Sequence, residues 1–169
     1  MNADPKLKIE LKGETEVVFT RYFDAPRKLV FDCHTKPELM RRWLGSEGMV
    51  LEICEVDLKV GGKYLFVYAA AEGKKFGVYG SFRKVVVPEI VANTENYAMD
   101  MTTFDPNAPE DPNAFVETRT FTAQGNGTLM THVCQFASAE ARKEILESGM
   151  VEGWEENYQG LEKLLSTLA

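Results

Sequence analysis

At 169 residues, with 44% hydrophobic and 27% charged side chains, the chain is sized for one domain, spanning 1–169, with a real core. Its formal net charge of −7 argues against a nucleic-acid or anionic-membrane surface, since both reward an excess of Lys and Arg. Apolar runs fall well short of the roughly 20 residues that a membrane helix needs, and the start MNADPKLKIELKGE lacks the apolar core of a signal peptide. Cys33, Cys54 and Cys134, odd in number and without a CxxC pair, read as free buried thiols in a reducing cytoplasm.

The run 6–23 alternates Leu7, Ile9 and Leu11 with charges, passes Gly13, and continues through Val17, Val18, Phe19, Tyr22 and Phe23. It predicts one long strand or two short ones. Asp24-Ala25-Pro26 starts a short helix with Leu29, Val30 and Cys33 on its apolar side. Thr35-Lys36-Pro37-Glu38 starts a second, carrying Leu39, Met40, Trp43 and Leu44 and closed by Gly45. From Met49 the pattern turns to strands. Leu51, Ile53 and Val56 form one, and Gly61-Gly62 marks a tight turn. Tyr64, Phe66 and Tyr68 alternate on the next, and Phe76, Val78, Gly80 and Phe82 on the return after a hairpin turn. Val87-Pro88 precedes a strand over 90–97. The stretch DPNAPEDPN, 105–113, predicts an exposed, mobile loop, with the extent to which it folds over the mouth of a pocket left open. A second hairpin follows over 114–136, then a short helix capped by Ser138.

The closing stretch, 148–169, is a long amphipathic helix. Met150, Val151, Trp154, Tyr158, Leu161, Leu164, Leu165 and Leu168 share one face, and Glu152, Glu155, Glu156, Gln159 and Lys163 the other. Gly149, Gly153 and Gly160 line one flank of the apolar stripe, each at a cost of roughly 1 kcal/mol against alanine. Close backbone approach or open space beside the helix would offset that cost. The order of elements gives an α+β layer architecture in which the sheet packs on the terminal helix.

Four blocks resemble one family in the expected order: TRYFDAPRKLVFDCHTKPELMRRWLG, CEVDLKVGGKYLFVY, GSFRKVVVPEIVANTE and GNGTLMTHVCQFASAEARKEILESGMVEGWEENYQGLEKLL. They are similar to the homologues of the activator of Hsp90 ATPase, within the SRPBCC superfamily of START, polyketide-cyclase and Bet v 1-like proteins. The resemblance implies a helix-grip fold. A curved antiparallel sheet wraps the long C-terminal helix, two short helices stand between the first two strands, and a hydrophobic cavity lies between sheet and helix.

Within that frame the aromatic set Trp43, Tyr64, Phe66, Tyr68, Phe76, Trp154 and Tyr158, with Val78 and Met150, is expected to line the cavity, tyrosine hydroxyls orienting a ligand. For any one of them ordinary core packing is the competing explanation. Glu117 and Arg119, two apart on one strand, share a face with Phe115 and Phe121. If concave, that face places a charged pair in the cavity; if convex, a surface pair of little consequence. His132 shares a face with Met130, Cys134 and Phe136 and reads as a cavity residue or a hydrogen-bonded structural histidine. His34 reads as a surface or capping residue. Two separated histidines with no CxxC or HExxH leave no metal-ligand set, Gly61-Gly62 precedes a strand and not the helix of a phosphate loop, and no cofactor is expected.

The function expected first is binding of a small hydrophobic or amphipathic molecule. A cyclase- or hydrolase-like enzyme using a tyrosine, Glu117, Arg119 or His132 as acid or base ranks second. Stimulation of an Hsp90-type ATPase, which the family name carries, ranks last because no extra N-terminal binding domain is seen. A homodimer through a sheet edge or the short helices is a further expectation.

Overall fold

The computed structural model describes residues 6–45 and 48–168. The segment 1–5, read as part of a leader-free start, and the helix end at Ala169 lie outside the described residues. Gly13 divides the first apolar run into β1 (Lys8–Lys12) and β2 (Glu16–Phe23). β1 is exposed throughout, whereas β2 buries Val17, Phe19, Arg21 and Phe23 on one face. Then come α1 (Arg27–Thr35) and α2 (Pro37–Met40), which stand between the first and second strands when 6–23 is counted as one. Pro26, rather than Asp24, occupies the N-cap of α1, and α2 is a single turn that ends short of Trp43.

Six strands follow: β3 (Met49–Val56), β4 (Lys63–Ala70), β5 (Lys75–Val86), β6 (Ile90–Ala98), β7 (Phe115–Gln124) and β8 (Gly127–Gln135). All eight form one antiparallel sheet in the order β1-β2-β8-β7-β6-β5-β4-β3. The register shifts between Leu51 and Ile53 and between Phe82 and Lys84, and such bulges bend a strand and raise its twist. Gly80 stands opposite Tyr64, where a Cβ would lie only 2.1 Å from the Thr94 carbonyl oxygen. Glycine at that place lets the Tyr64 hydroxyl reach across β5 to donate to the same carbonyl at 2.5 Å.

Two helices close the chain, α3 (Ala139–Glu147) and α4 (Met150–Leu168). Ser138 caps α3 by accepting from the Ala141 N–H at 3.1 Å. Gly149 is not inside a helix, as the periodicity implied, but is the joint between α3 and α4. Its φ of +88° lies in the left-handed region that glycine enters without steric cost. Tyr158, Leu161, Leu164 and Leu165 of α4 pack with Phe23, Phe31, Phe121 and Met130 into the main core. A smaller cluster of Val17, Phe19, Phe115, Cys134 and Phe136 lies under α3. Arg21, 2% exposed, ties β2 to α4 through Glu162 at 3.1 Å and Glu155 at 3.7 Å.

The loop 105–113 does not reach the cavity mouth. Glu110 accepts from Thr94 Oγ1 at 2.7 Å and Ser81 Oγ at 3.0 Å, residues whose side chains alternate with the inward row. Phe104 packs on Tyr79 at 4.9 Å. These contacts pin the segment to the outer face of β5 and β6.

Candidate ligand cavity

The concave face of the sheet is set by strand alternation. Tyr64, Phe66 and Tyr68 of β4, Phe76, Val78 and Phe82 of β5, and Val91, Asn93, Glu95 and Tyr97 of β6 point inward, as do Glu117, Arg119 and Phe121 of β7. Opposite them stand Met150, Gly153, Trp154 and Asn157 of α4, with His34, Met40, Trp43 and Leu44 from the α1–α2 region. Between the two layers is a cavity of about 590 Å³, within the range of small-molecule sites. The alternatives left open for Glu117 and Arg119 resolve to the concave side, at 3% and 8% exposure.

These charges form the centre of a buried network. Arg119 Nη1 donates to Glu117 Oε1 at 2.9 Å and Asn93 Nδ2 to the same oxygen at 3.1 Å. His132 Nε2 lies 2.9 Å from Glu117 Oε2. A carboxylate only accepts, so His132 carries its proton on Nε2. Asn93 also donates to the Tyr64 hydroxyl at 3.1 Å. Burial pushes the Glu117 carboxyl up, but Arg119, His132 and Asn93 together outweigh it and hold Glu117 below the usual carboxylate range. Burial and the Arg119 charge hold His132 down at about 4. Glu95, beside this network, is pushed up to about 8 by burial and by the negative charge of Glu117. Its Oε2 accepts from the Tyr97 hydroxyl at 2.6 Å.

Of the residues expected to line the cavity, Trp43, Tyr64, Phe66, Tyr68, Phe76, Val78, Glu117, Arg119, Met150 and Trp154 are placed along its wall. His132 and Tyr158 are not; both are fully buried behind that wall. His132 meets the edge of Trp154 with ring centres 5.4 Å apart, and Tyr158 stacks on Trp154 at 5.3 Å. Arg119 lies over the Trp154 ring as well, 4.9 Å from its centre. His34 is a correction: it is neither a surface nor a capping residue. Its Nδ1 lies 2.8 Å from the Val30 carbonyl oxygen, which turns the ring inward against Trp43 and Phe121. The carbonyl accepts, so Nδ1 holds the proton and Nε2 is a bare acceptor. Burial and the charge of Arg119 keep His34 neutral, at about 3.

Glu117, His132 and Cys134 bring three ligand-type atoms within 4.8 Å of one another. That geometry alone would hold a metal, but the donor set does not fit one. His132 Nε2 already carries a proton for Glu117, Arg119 bonds the same carboxylate, and burial pushes the Cys134 thiol well up, against thiolate formation. The same facts leave Cys134, 3.4 Å from His132 Nε2, without an activating base. Among the described residues there is no clear catalytic set.

A curved antiparallel sheet gripping a long C-terminal helix around an aromatic-walled cavity defines a helix-grip domain of the START and Bet v 1 type. Residues 24–166 match the family described as Activator of Hsp90 ATPase homolog 1-like protein, and the chain belongs to that family, within the SRPBCC superfamily. The fold is similar to the crystal structure of a protein from Rhodobacter sphaeroides, 24% identical over 96% of this chain and 99% of that one, TM-score 0.84. It is similar also to protein NE0264 from Nitrosomonas europaea, 26% identical over 93% and 97%, TM-score 0.79. An AHSA1-like protein from Aeromonas hydrophila is 16% identical over 88% and 93%, TM-score 0.69. No curated protein sequence matches the chain. No helix among the described residues is long and apolar enough to cross a membrane.

Proposed function

We propose that this protein binds a small hydrophobic or amphipathic molecule between α4 and the concave face of the sheet. The observation that carries the reading is the cavity of about 590 Å³, walled by aromatic rings and holding a few fixed polar groups at one end. A filled helix–sheet interface would have served stability better, because packed cores exclude voids of this size. Gly153 supports the same reading, since a Cβ there would have no atom within 4 Å.

The test uses the two tryptophans of the chain, Trp43 and Trp154, which both line the cavity. Titration with 6-phenylhexan-1-ol should give a saturable, one-to-one change in tryptophan fluorescence. Native mass spectrometry of the protein purified from cells should show a co-purifying small molecule released on unfolding. A linear, unsaturable fluorescence response together with a bare mass would overturn the reading.

A further inference from the structure

We propose that the cavity selects a cationic amphiphile, a protonated amine on an apolar body, with the ammonium group seated at Glu95. The inference rests on the binding reading above and adds the charge of the ligand. Apart from tyrosines held neutral by burial, the ionisable groups along the wall among the described residues are two carboxyls, Glu95 and Glu117, one guanidinium, Arg119, and the neutral His34. Arg119 is already engaged, bonded to Glu117 at 2.9 Å, and that carboxylate also accepts from Asn93 and His132. Glu95 is 8% exposed and receives its hydrogen bond from a neutral donor, the Tyr97 hydroxyl. Among the described residues it has no cationic partner of its own. The wall therefore carries one carboxyl more than its cations can neutralise.

Three kinds of head group meet this arrangement differently. A carboxylate would bring a third carboxyl group to one guanidinium. A hydroxyl would leave the balance as it is. An ammonium would pair with Glu95 as that carboxyl gives up its proton, and Tyr68 and Tyr97, close enough to feel the Glu95 charge, stand at the same end of the wall. The groups facing Glu95 are Tyr97 on its own strand, Tyr64 and Tyr68 from β4, Glu117 and Arg119 from β7, and Cys134 from β8. Burial holds the three tyrosines and the cysteine neutral, and Glu117 and Arg119 pair with each other. A proton leaving this end of the cavity when an amine binds must come from Glu95, whose carboxyl is held up at about 8.

The test titrates 6-phenylhexan-1-amine, 6-phenylhexan-1-ol and 6-phenylhexanoate into the full chain at neutral pH. Tryptophan fluorescence gives affinity, and calorimetry in buffers of differing ionisation enthalpy gives proton release. The amine should bind about tenfold more tightly than the alcohol, and the alcohol more tightly than the carboxylate. Amine binding should release a proton and alcohol binding should not. In Glu95→Gln the amine should lose its advantage and the proton release should vanish. Alcohol binding should remain saturable and one-to-one, and the unfolding midpoint at neutral pH should be retained, which together report an intact cavity. Equal or tighter binding of the alcohol or carboxylate overturns the proposal and leaves the binding reading standing. An amine preference that survives in Glu95→Gln also overturns it. Failure of all three probes to bind overturns both.

Discussion

From Tyr158 to Leu165 the inward face of α4 is fully buried, whereas Met150, Gly153 and Trp154 on the same face are partly buried and border the cavity. One helical period produces both halves, and the difference comes from what stands opposite. Phe23, Phe31, Phe121 and Met130 interlock with the second half, while the polar row of β6 faces the first across the cavity and Arg119 of β7 reaches Trp154. The two interior glycines follow the same division. Beside Gly153 there is open space, whereas a Cβ on Gly160 would touch the Trp43 carbonyl oxygen at 3.5 Å. Gly153 offsets its helix cost by leaving room, whereas at Gly160 a Cβ would make an ordinary contact.

The sharpest way to break this comparison is to cut into the packed half. Leu161→Ala, at a position with no exposed surface, should cost about 2–5 kcal/mol in urea unfolding, because the core closes only partly over the void. A loss below about 1 kcal/mol would show that this half is loosely packed and the division wrong.

An effect of intermediate size should appear in stability against pH, and it belongs to the cavity half. Glu95, held up at about 8, binds its proton more tightly folded than unfolded. The stability it adds is complete below the ordinary carboxyl range and is lost as pH rises through about 8. His132 and His34, held at about 4 and about 3, act in the opposite sense. The unfolded histidines take up protons first, so stability falls as pH drops from the ordinary histidine range toward those values. Glu95→Gln should flatten the alkaline limb and leave the acid limb in place, as read from denaturation midpoints. An unchanged alkaline limb would mean that Glu95 is not the group responsible.

The smallest effect on stability should come from Gly153→Leu. The new side chain enters open space and gains helix propensity, so the unfolding free energy should change by less than about 1 kcal/mol. Binding of 6-phenylhexan-1-ol should weaken strongly, since the leucine occupies the ligand's place. A loss matching that of Leu161→Ala would make the helix uniform and move the cavity elsewhere.

Much of this division was legible in the chain. Strand alternation put Glu117 and Arg119 on one face with Phe115 and Phe121, and the i to i+4 spacing of Trp154 and Tyr158 put both rings on one side of the helix. Glu95 and Asn93 were not legible because β6 is polar on both faces. Thr94 and Asn96, which alternate with them, are also buried, one bonded to the pinned loop and one to the Tyr79 carbonyl. A strand with no polarity contrast gives periodicity no face to choose. The clue lay in pairing, since Asn93 stands directly opposite Glu117, but register is a tertiary fact. His34 escaped for a related reason. Its inward turn depends on one backbone carbonyl in a nine-residue helix, a bond that leaves no trace in residue spacing. Gly149 followed the helical stripe on both sides, so only its backbone angle reveals a joint.

That joint bears on timing. α3 contributes no fully buried residue, and Ile145, Ser148 and Gly149 form the rim of the cavity. Lifting this elbow uncovers the small cluster beneath α3 but leaves the packed end of α4 untouched. Residence time would then be set by a local fluctuation far more frequent than global unfolding. A change at the elbow should speed or slow entry and exit together while leaving the equilibrium constant nearly where it was.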